Sequence, residues 1–480
     1  MQITHAILVC GTLITSSAMN SEAFAMGPVG GGENNESFKL ISNDREFGDK
    51  FGFAVALSGN IVVVGAPQAD ESGPQSGSAY LFDRTSGVLL TELVPTDGGT
   101  QDQFGYSVAI QDGVVAVGAV GSDSIFSNTG AVYLFDAATG QQLAKLIPES
   151  NQLHAVEFGN SLSMSNGVLA IGAHFSGAGG GNRGSVFLFD SDMNSPSFGS
   201  EQIWLMPADS VGGDEFGHSV SIDGGILAAS SLGDDDNGTD SGSVYLYDAD
   251  PDSPSFGTEI AKLIADDGMA DDGFGQSVSV NGGLIAVGAN KNPSPSDAVF
   301  TGAVYTFGGD PLLPNFGTQV FKITPEPSTL VAWFGYSISL NNGLLAVGSH
   351  LGGVNGFASG SAYLMDASTG EQLGEYLPSD GDAFGQFGFS IALDEEGVFV
   401  VGSIGGLSTD SGAGSAYMFG IPELVCTADL TGDGSLNFFD VSAFLTFFQI
   451  EDAIADFTGD GEFNFFDVSA FLNAFAAGCP

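Results

Sequence analysis

Two twelve-residue stretches near the end of the chain carry its most ordered chemistry: Asp429–Asp440, DLTGDGSLNFFD, and Asp456–Asp467, DFTGDGEFNFFD, which starts 27 residues later. In the first, Asp429, Thr431, Asp433, Asn437 and Asp440 put side-chain oxygens at positions 1, 3, 5, 9 and 12. Gly434 stands at position 6, where the chain must turn sharply, and Ser435 at position 7 offers a backbone carbonyl. The second repeats this with Asp456, Thr458, Asp460, Asn464 and Asp467, and with Glu462 as the carbonyl donor. An all-oxygen set with this alternation suits a hard divalent cation of the size of Ca²⁺, and Mg²⁺ fits it poorly. Two Ca²⁺ ions are therefore expected; the competing reading is a pair of acidic turns.

Each loop should run into a helix that positions it. Val441, Phe444, Leu445 and Phe448 form one apolar stripe, and Val468, Phe471, Leu472 and Phe475 form another. Thr431–Phe448 and Thr458–Phe475 agree at 14 of 18 positions, so the module is an internal duplication. Two EF-hand-like loop–helix units with Asp at position 12 resemble a dockerin, the calcium-dependent anchoring module of secreted bacterial enzymes and surface proteins. Cys426 and the ending Gly478-Cys479-Pro480 match a disulfide-clamped variant, which implies a Cys426–Cys479 bridge. Thr431 and Thr458 stand where that family usually has Asn or Asp. The resemblance implies a cohesin-like or other surface partner. Phe438-Phe439 and Phe465-Phe466 fall near the partner-reading positions; core residues are the alternative reading for them.

Everything upstream is a different kind of sequence. A Phe-Gly pair recurs at Phe51, Phe104, Phe158, Phe216, Phe274, Phe334 and Phe387, at intervals of 53 (Phe51 to Phe104) to 60 residues (Phe274 to Phe334). In Phe104–Asp136, Ser107–Ile110, Val114–Ala119 and Ala131–Phe135 read as strands, with Asp112-Gly113 as a hairpin turn and Leu143–Ile147 as a fourth strand. Seven four-stranded units predict a seven-bladed all-β propeller, because such sheets bury their faces only against one another. Phe38–Ile41 (FKLI) looks like the fourth strand of later units, such as Ala144–Ile147 (AKLI), and the last unit lacks its own. The first strand should thus close the ring by pairing with Ser415–Phe419. The wording of the unit, with FGYSVA, VVVGAP and GSAYLFD, resembles the FG-GAP repeat of integrin α-subunit propellers and many bacterial secreted proteins. Some members carry an Asp-x-Asp-x-Asp-Gly calcium loop between the first two strands; this chain has none there.

Strand order sorts the loops by face. Tight turns such as Asp112-Gly113, Asn166-Gly167 and Asn342-Gly343 share one face, which should have little side chain to offer. The opposite face carries Gln68–Ser76, Gly121–Thr129, Gly233–Ser241 and Asp266–Gly273, and there a ligand should bind. Three groups on that face read better as surface or repeat-position residues than as sites: Asp234–Asp240 as a cation loop, Asp266-Asp267 with Asp271-Asp272 as an acid/base pair, and His174, His218 and His350 as metal ligands. No nucleophile elbow appears.

With 58 acidic against 9 basic residues and a net charge of −49, the chain cannot neutralise a phosphate backbone, so nucleic acid is excluded as a partner. Ala6–Ile14 followed by Ala23-Phe24-Ala25 reads as a signal peptide over residues 1–25, and no other run could span a membrane. Residues 26–37 read as a flexible leader, 38–420 as the propeller, 421–425 as a linker and 426–480 as the dockerin-like domain. Cys426 and Cys479 are the cysteines left after cleavage, and an exported protein with two invites one disulfide. The expectation is an extracellular or cell-surface binding or adhesion protein that presents its loops to an extracellular protein or glycan. The alternative is an extracellular carbohydrate-active enzyme with a dockerin anchor.

Overall fold

The computed structural model describes residues 36–123, 128–148, 156–177, 181–292, 301–325, 332–353, 355–406, 412–420, 430, 437–450, 455, 457 and 463–477. Its strands form seven antiparallel sheets of four. These are blades 1 to 7, with strands a to d from first to last. Blade 1 runs from Ala54–Ser58 (a) through Ile61–Ala66 (b) and Ser78–Asp83 (c) to Leu89–Leu93 (d). Seven apolar clusters fill the seven joints between successive blades. Valine, isoleucine, leucine and alanine on b and c are buried on both faces, as a sheet sandwiched between sheets requires.

The Phe-Gly pair is the part that locks one blade to the next. Phe104 is fully buried and lies edge-on to Tyr133 and Phe135 of its own blade, with centroids at 5.6 and 5.8 Å. Gly105 (φ +92°) passes so close to blade 1 that a Cβ would stand 2.2 Å from the Ser78 carbonyl oxygen. Gly77, which opens strand c of blade 1, bridges Phe104 in parallel. The a–b register shifts between Phe104 and Val108, which leaves the intervening residues off the ladder. There Ser107 donates to the Gly159 carbonyl of blade 3 at 2.6 Å. Ser161, Ser277, Ser337 and Ser390 repeat the stitch at other joints.

Ring closure is as the sequence predicts. Phe38–Leu40 pairs antiparallel with Ser415–Phe419, with Phe38 opposite Met418, Lys39 opposite Tyr417 and Leu40 opposite Ala416. It is strand d of blade 7, so the first of the described strands covers the edge that the last of them would expose.

Two helices follow the propeller in sequence, α1 (Phe438–Gln449) and α2 (Phe465–Ala477). Phe444 and Phe471 stack nearly parallel at 4.2 Å, and Val441, Phe448, Val468 and Phe475 pack around them. Leu445 and Leu472 do not join the stripe; they are 56% and 51% exposed. One aromatic stack makes a narrow contact, and a residue one step on is turned about 100° away from it. No helix among the described residues is long and apolar enough to cross a membrane.

Candidate binding site at the loop-bearing end of the propeller

Strands a begin, and strands b end, at the loop-bearing face. The residue before each Phe-Gly has a left-handed backbone in every blade, from Lys50 (φ 57°) through Glu157, Glu215 and Trp333 to Gln386 (φ 55°), with Gly273 in blade 5. The residue after each Phe-Gly forms an inner ring. In blades 6, 7, 1 and 2 it is aromatic: Tyr336, Phe389, Phe53 and Tyr106 follow one another with centroids 5.2, 4.9 and 4.8 Å apart. In blades 3, 4 and 5 it is polar: Asn160 donates to the His218 carbonyl at 2.9 Å, and Gln276 meets the His218 ring at 3.4 Å. Trp333 stacks on Tyr336 at 6.1 Å, and Lys50 lies over Phe53.

The three histidines do reach this mouth, but they do not converge. His174 and His218 meet edge to face at 5.5 Å, while His350 packs on Tyr336 at 4.0 Å and against Trp333 and Phe389. Burial depresses all three, His174 to about 3 and the other two to about 4, so they are neutral at physiological pH. Burial raises the carboxyls of Glu157 and Glu215, and Glu215 raises Glu157 further. Glu157 stands 3.8 Å from the His174 ring. Burial also pushes the Tyr336 hydroxyl up to about 12, with Tyr106 adding to the shift.

Farther from the axis, one arrangement recurs that sequence reading missed. A lysine on strand d lies over the tyrosine opposite it on strand c and pairs with an aspartate after strand d of the preceding blade. Lys145 meets Tyr133 and Asp97, Lys262 meets Tyr245 and Asp209, Lys322 meets Tyr305 and Asp267, and Lys39 meets Tyr417 and Asp380. Lys262 also holds Asp234 at 3.0 Å and Asp236 at 2.6 Å, so an ammonium occupies the loop weighed as a cation site. The Asp266-Asp267 and Asp271-Asp272 pairs, read from the sequence as surface rather than as an acid/base centre, are likewise taken up by structural contacts. Asp267 binds Lys322 and the Tyr305 hydroxyl, while Asp272 is buried and accepts from Met269 N–H and Asn292.

Blade 1 breaks the pattern, because Glu92 stands opposite Tyr80. Asp44, Glu71 and Glu92 bring carboxylate oxygens within 4.8 Å of one another. Tyr80 donates to Asp44 and Ser78 to Glu92. A hydrogen bond to Asp44 is the main cause that raises the Glu71 carboxyl; burial raises Glu92.

The face of tight turns is less bare than expected. A cleft of about 260 Å³ opens there between blades 2 and 3, lined among others by Gln111, Asp112, Met164, Asn166 and Asp192. The side chains of the longer c–d connection in blade 3 build its wall.

Of the twelve residues assigned to calcium, Asn437, Asp440, Asn464 and Asp467 are described. Asn437 caps α1: its side chain accepts from Phe439 N–H and the Asp440 carboxylate accepts from Asn437 N–H, each at 2.8 Å. Asn464 and Asp467 repeat this at α2. Both aspartates are fully buried. Asp429, Thr431, Asp433, Ser435, Asp456, Thr458, Asp460, Glu462, Cys426 and Cys479 lie outside the described residues, as do residues 1–25 and 421–425. Phe438, Phe439, Phe465 and Phe466 are 76, 68, 76 and 68% exposed, which removes the reading that they are core.

The sequence profile of the FG-GAP repeat matches residues 35–82, 89–135, 141–189, 200–247, 258–307, 318–365 and 371–419. These segments run from strand d of one blade to strand c of the next. No curated protein is significantly similar to this chain.

Proposed function

Since the chain belongs to the FG-GAP repeat family, whose propellers are ligand-binding and adhesion modules, we propose that it is a secreted or cell-surface, non-catalytic binding protein. The propeller takes an extracellular ligand at its loop-bearing end, and the tail attaches it to a second partner. The observation that carries this reading is the mouth itself, where an aromatic arc faces a polar arc across the axis. Aromatic surface with a few convergent polar groups is the usual make-up of a binding site.

The tail is proposed as a dockerin-like domain that folds around two Ca²⁺ ions, held by the residues named above and clamped by a Cys426–Cys479 bridge. Two duplicated acidic loops and a small core point that way, since such a core needs metal or a disulfide to be stable. Its exposed Phe438-Phe439 and Phe465-Phe466 pairs would meet a cohesin-like or other surface partner.

The test separates the two ends of the molecule. Full-length protein is applied to glycan and protein arrays with calcium and with chelator. Replacing Gln68–Ser76, Gly121–Thr129, Gly233–Ser241 and Asp266–Gly273 by short Gly-Ser turns should abolish ligand capture. Asp433→Ala and Asp460→Ala should each remove one calcium site by calorimetry and leave ligand capture intact. Ligand capture unchanged by the loop swaps would defeat the first assignment, and no calcium heat the second. One observation favours the enzyme reading: Glu157, Glu215 and His174 gather at the mouth with two raised carboxyls. Hydrolysis of an oligosaccharide lost in Glu157→Gln would establish it.

A further inference from the structure

We infer that the mouth of the propeller axis is a subsite for an uncharged sugar ring, stacked on the aromatic arc and hydrogen-bonded by the polar arc. This deepens the binding reading above and rests on it. The first support is the one-sidedness of the ring. A propeller could plug its axis with any apolar side chains; here the aromatics occupy four adjacent blades, and Trp333 adds a further plane over Tyr336 at 29°. Flat apolar faces of this kind match the C–H face of a pyranose. The hydroxyls of Tyr106 and Tyr336 have no hydrogen-bond partner among the described residues.

The second support is independent, and it concerns buried polar atoms with nothing to bind. Asn290, fully buried at the end of strand b in blade 5, leaves both its amide oxygen and its amide nitrogen unpaired. His174 and His218 each leave Nδ1 unpaired. A buried polar atom left without a partner is costly to the fold, so such groups call for something that satisfies them. An amide that offers one donor and one acceptor side by side suits a pair of neighbouring hydroxyls. The approach is marked as well. Gly273 is the rim residue of blade 5, where all six other blades carry a side chain, and a Cβ there would stand 2.8 Å from the Asn290 amide oxygen. The Lys291 aliphatic chain would lie 3.8 Å from that same Cβ.

Charge selects the kind of sugar. A chain of net charge −49, with Glu157 and Glu215 at the rim, repels uronic, sialic and sulfated glycans. Lys50 is already placed over Phe53 and Lys291 beside Glu215, so the rim does not call for a cationic ligand either.

The experiment uses the full-length protein and neutral oligomers of glucose, xylose, mannose and N-acetylglucosamine, with oligogalacturonate as the charged control. Saturation-transfer NMR reads binding, and Trp333 fluorescence gives the affinity, with Trp204 as the packed reference. At least one neutral oligomer should bind and oligogalacturonate should not. Tyr106→Leu, Trp333→Ala and Gly273→Asn should each weaken binding about tenfold or more, the last by pressing a Cβ against the Asn290 amide with a residue that tolerates the left-handed backbone. Phe357→Ala, an exposed residue on the b–c loop of blade 6, should change nothing. Melting curves confirm that each variant is folded. No transfer from any neutral oligomer, or binding unmoved by all three mouth variants, overturns the inference. If the loop swaps still abolish capture of some other ligand, the binding reading survives that failure. If the bound oligomer is cleaved, the sugar subsite stands and the non-catalytic reading falls.

Discussion

Blade 4 and blade 1 solve the same geometric problem with opposite charge. In blade 4 the Lys262 ammonium sits among Asp209, Asp234 and Asp236 and over Tyr245. Burial alone would lower its pKa, but the surrounding carboxylates outweigh that and raise it. In blade 1 the strand position is Glu92, and it faces Asp44 and Glu71 beneath Tyr80. The backbone register is the same in both, Tyr245 opposite Lys262 and Tyr80 opposite Glu92. The repeat therefore fixes where these side chains meet and leaves free what charge they carry. Blade 4 gains ion pairs on folding, whereas blade 1 concentrates like charges.

The largest effect should come from breaking the blade 4 cluster. Lys262→Met leaves three carboxylates facing one another, with Asp234 nearly buried, and should cost about 2–3 kcal/mol. The urea midpoint of the full chain reads it, and an unchanged midpoint would mean the cluster is mere surface. The converse change sharpens the comparison. Glu92→Lys gives blade 1 the solution used in blades 2, 4, 5 and 7, and should stabilise by about 1 kcal/mol. Loss of stability instead would show that the blade 1 carboxylates are not repelling one another.

Acid separates the two blades by a somewhat smaller effect. Burial is the main cause that raises the Asp49 carboxyl, just before the first Phe-Gly, to about 6. Its folded pKa exceeds the unfolded value, so folding takes up a proton. The folded state is favoured most below pH 4, and that favour is lost as pH rises through 6. Going from pH 7 to pH 5 should therefore add about 1 kcal/mol through this group, with Glu71 and Glu92 acting in the same direction. Asp49→Asn should flatten the slope. Lys262 stays charged throughout this window and contributes no slope of its own.

The fold was readable because its signals are steric and repeat. Phe51 to Phe387 recur in register, and the glycines beside them stand where a Cβ would strike the neighbouring backbone. Ring closure was readable from the likeness of FKLI to AKLI. The lysine clusters were harder to see, because their members lie on two strands and a loop from the preceding blade. Only the c–d register, such as Tyr133 opposite Lys145, brings them together. The inner ring escaped for a different reason. Its position repeats but its residue type does not, running from Phe53 through Asn160 and His218 to Tyr336, so a search for repeated chemistry passes over it. In the tail, hydrophobic spacing overcounted the contact face by Leu445 and Leu472, since spacing cannot tell how wide the opposing surface is.

Hydrogen–deuterium exchange on the full-length protein, with and without the neutral oligosaccharide that binds best, puts the two faces of the propeller in direct competition. Protection should appear at residues 50–54, 103–107, 273–277 and 333–337, around the loop-bearing mouth. Protection at residues 111–114, 164–167 and 191–194 instead, around the cleft on the tight-turn face, would contradict the account.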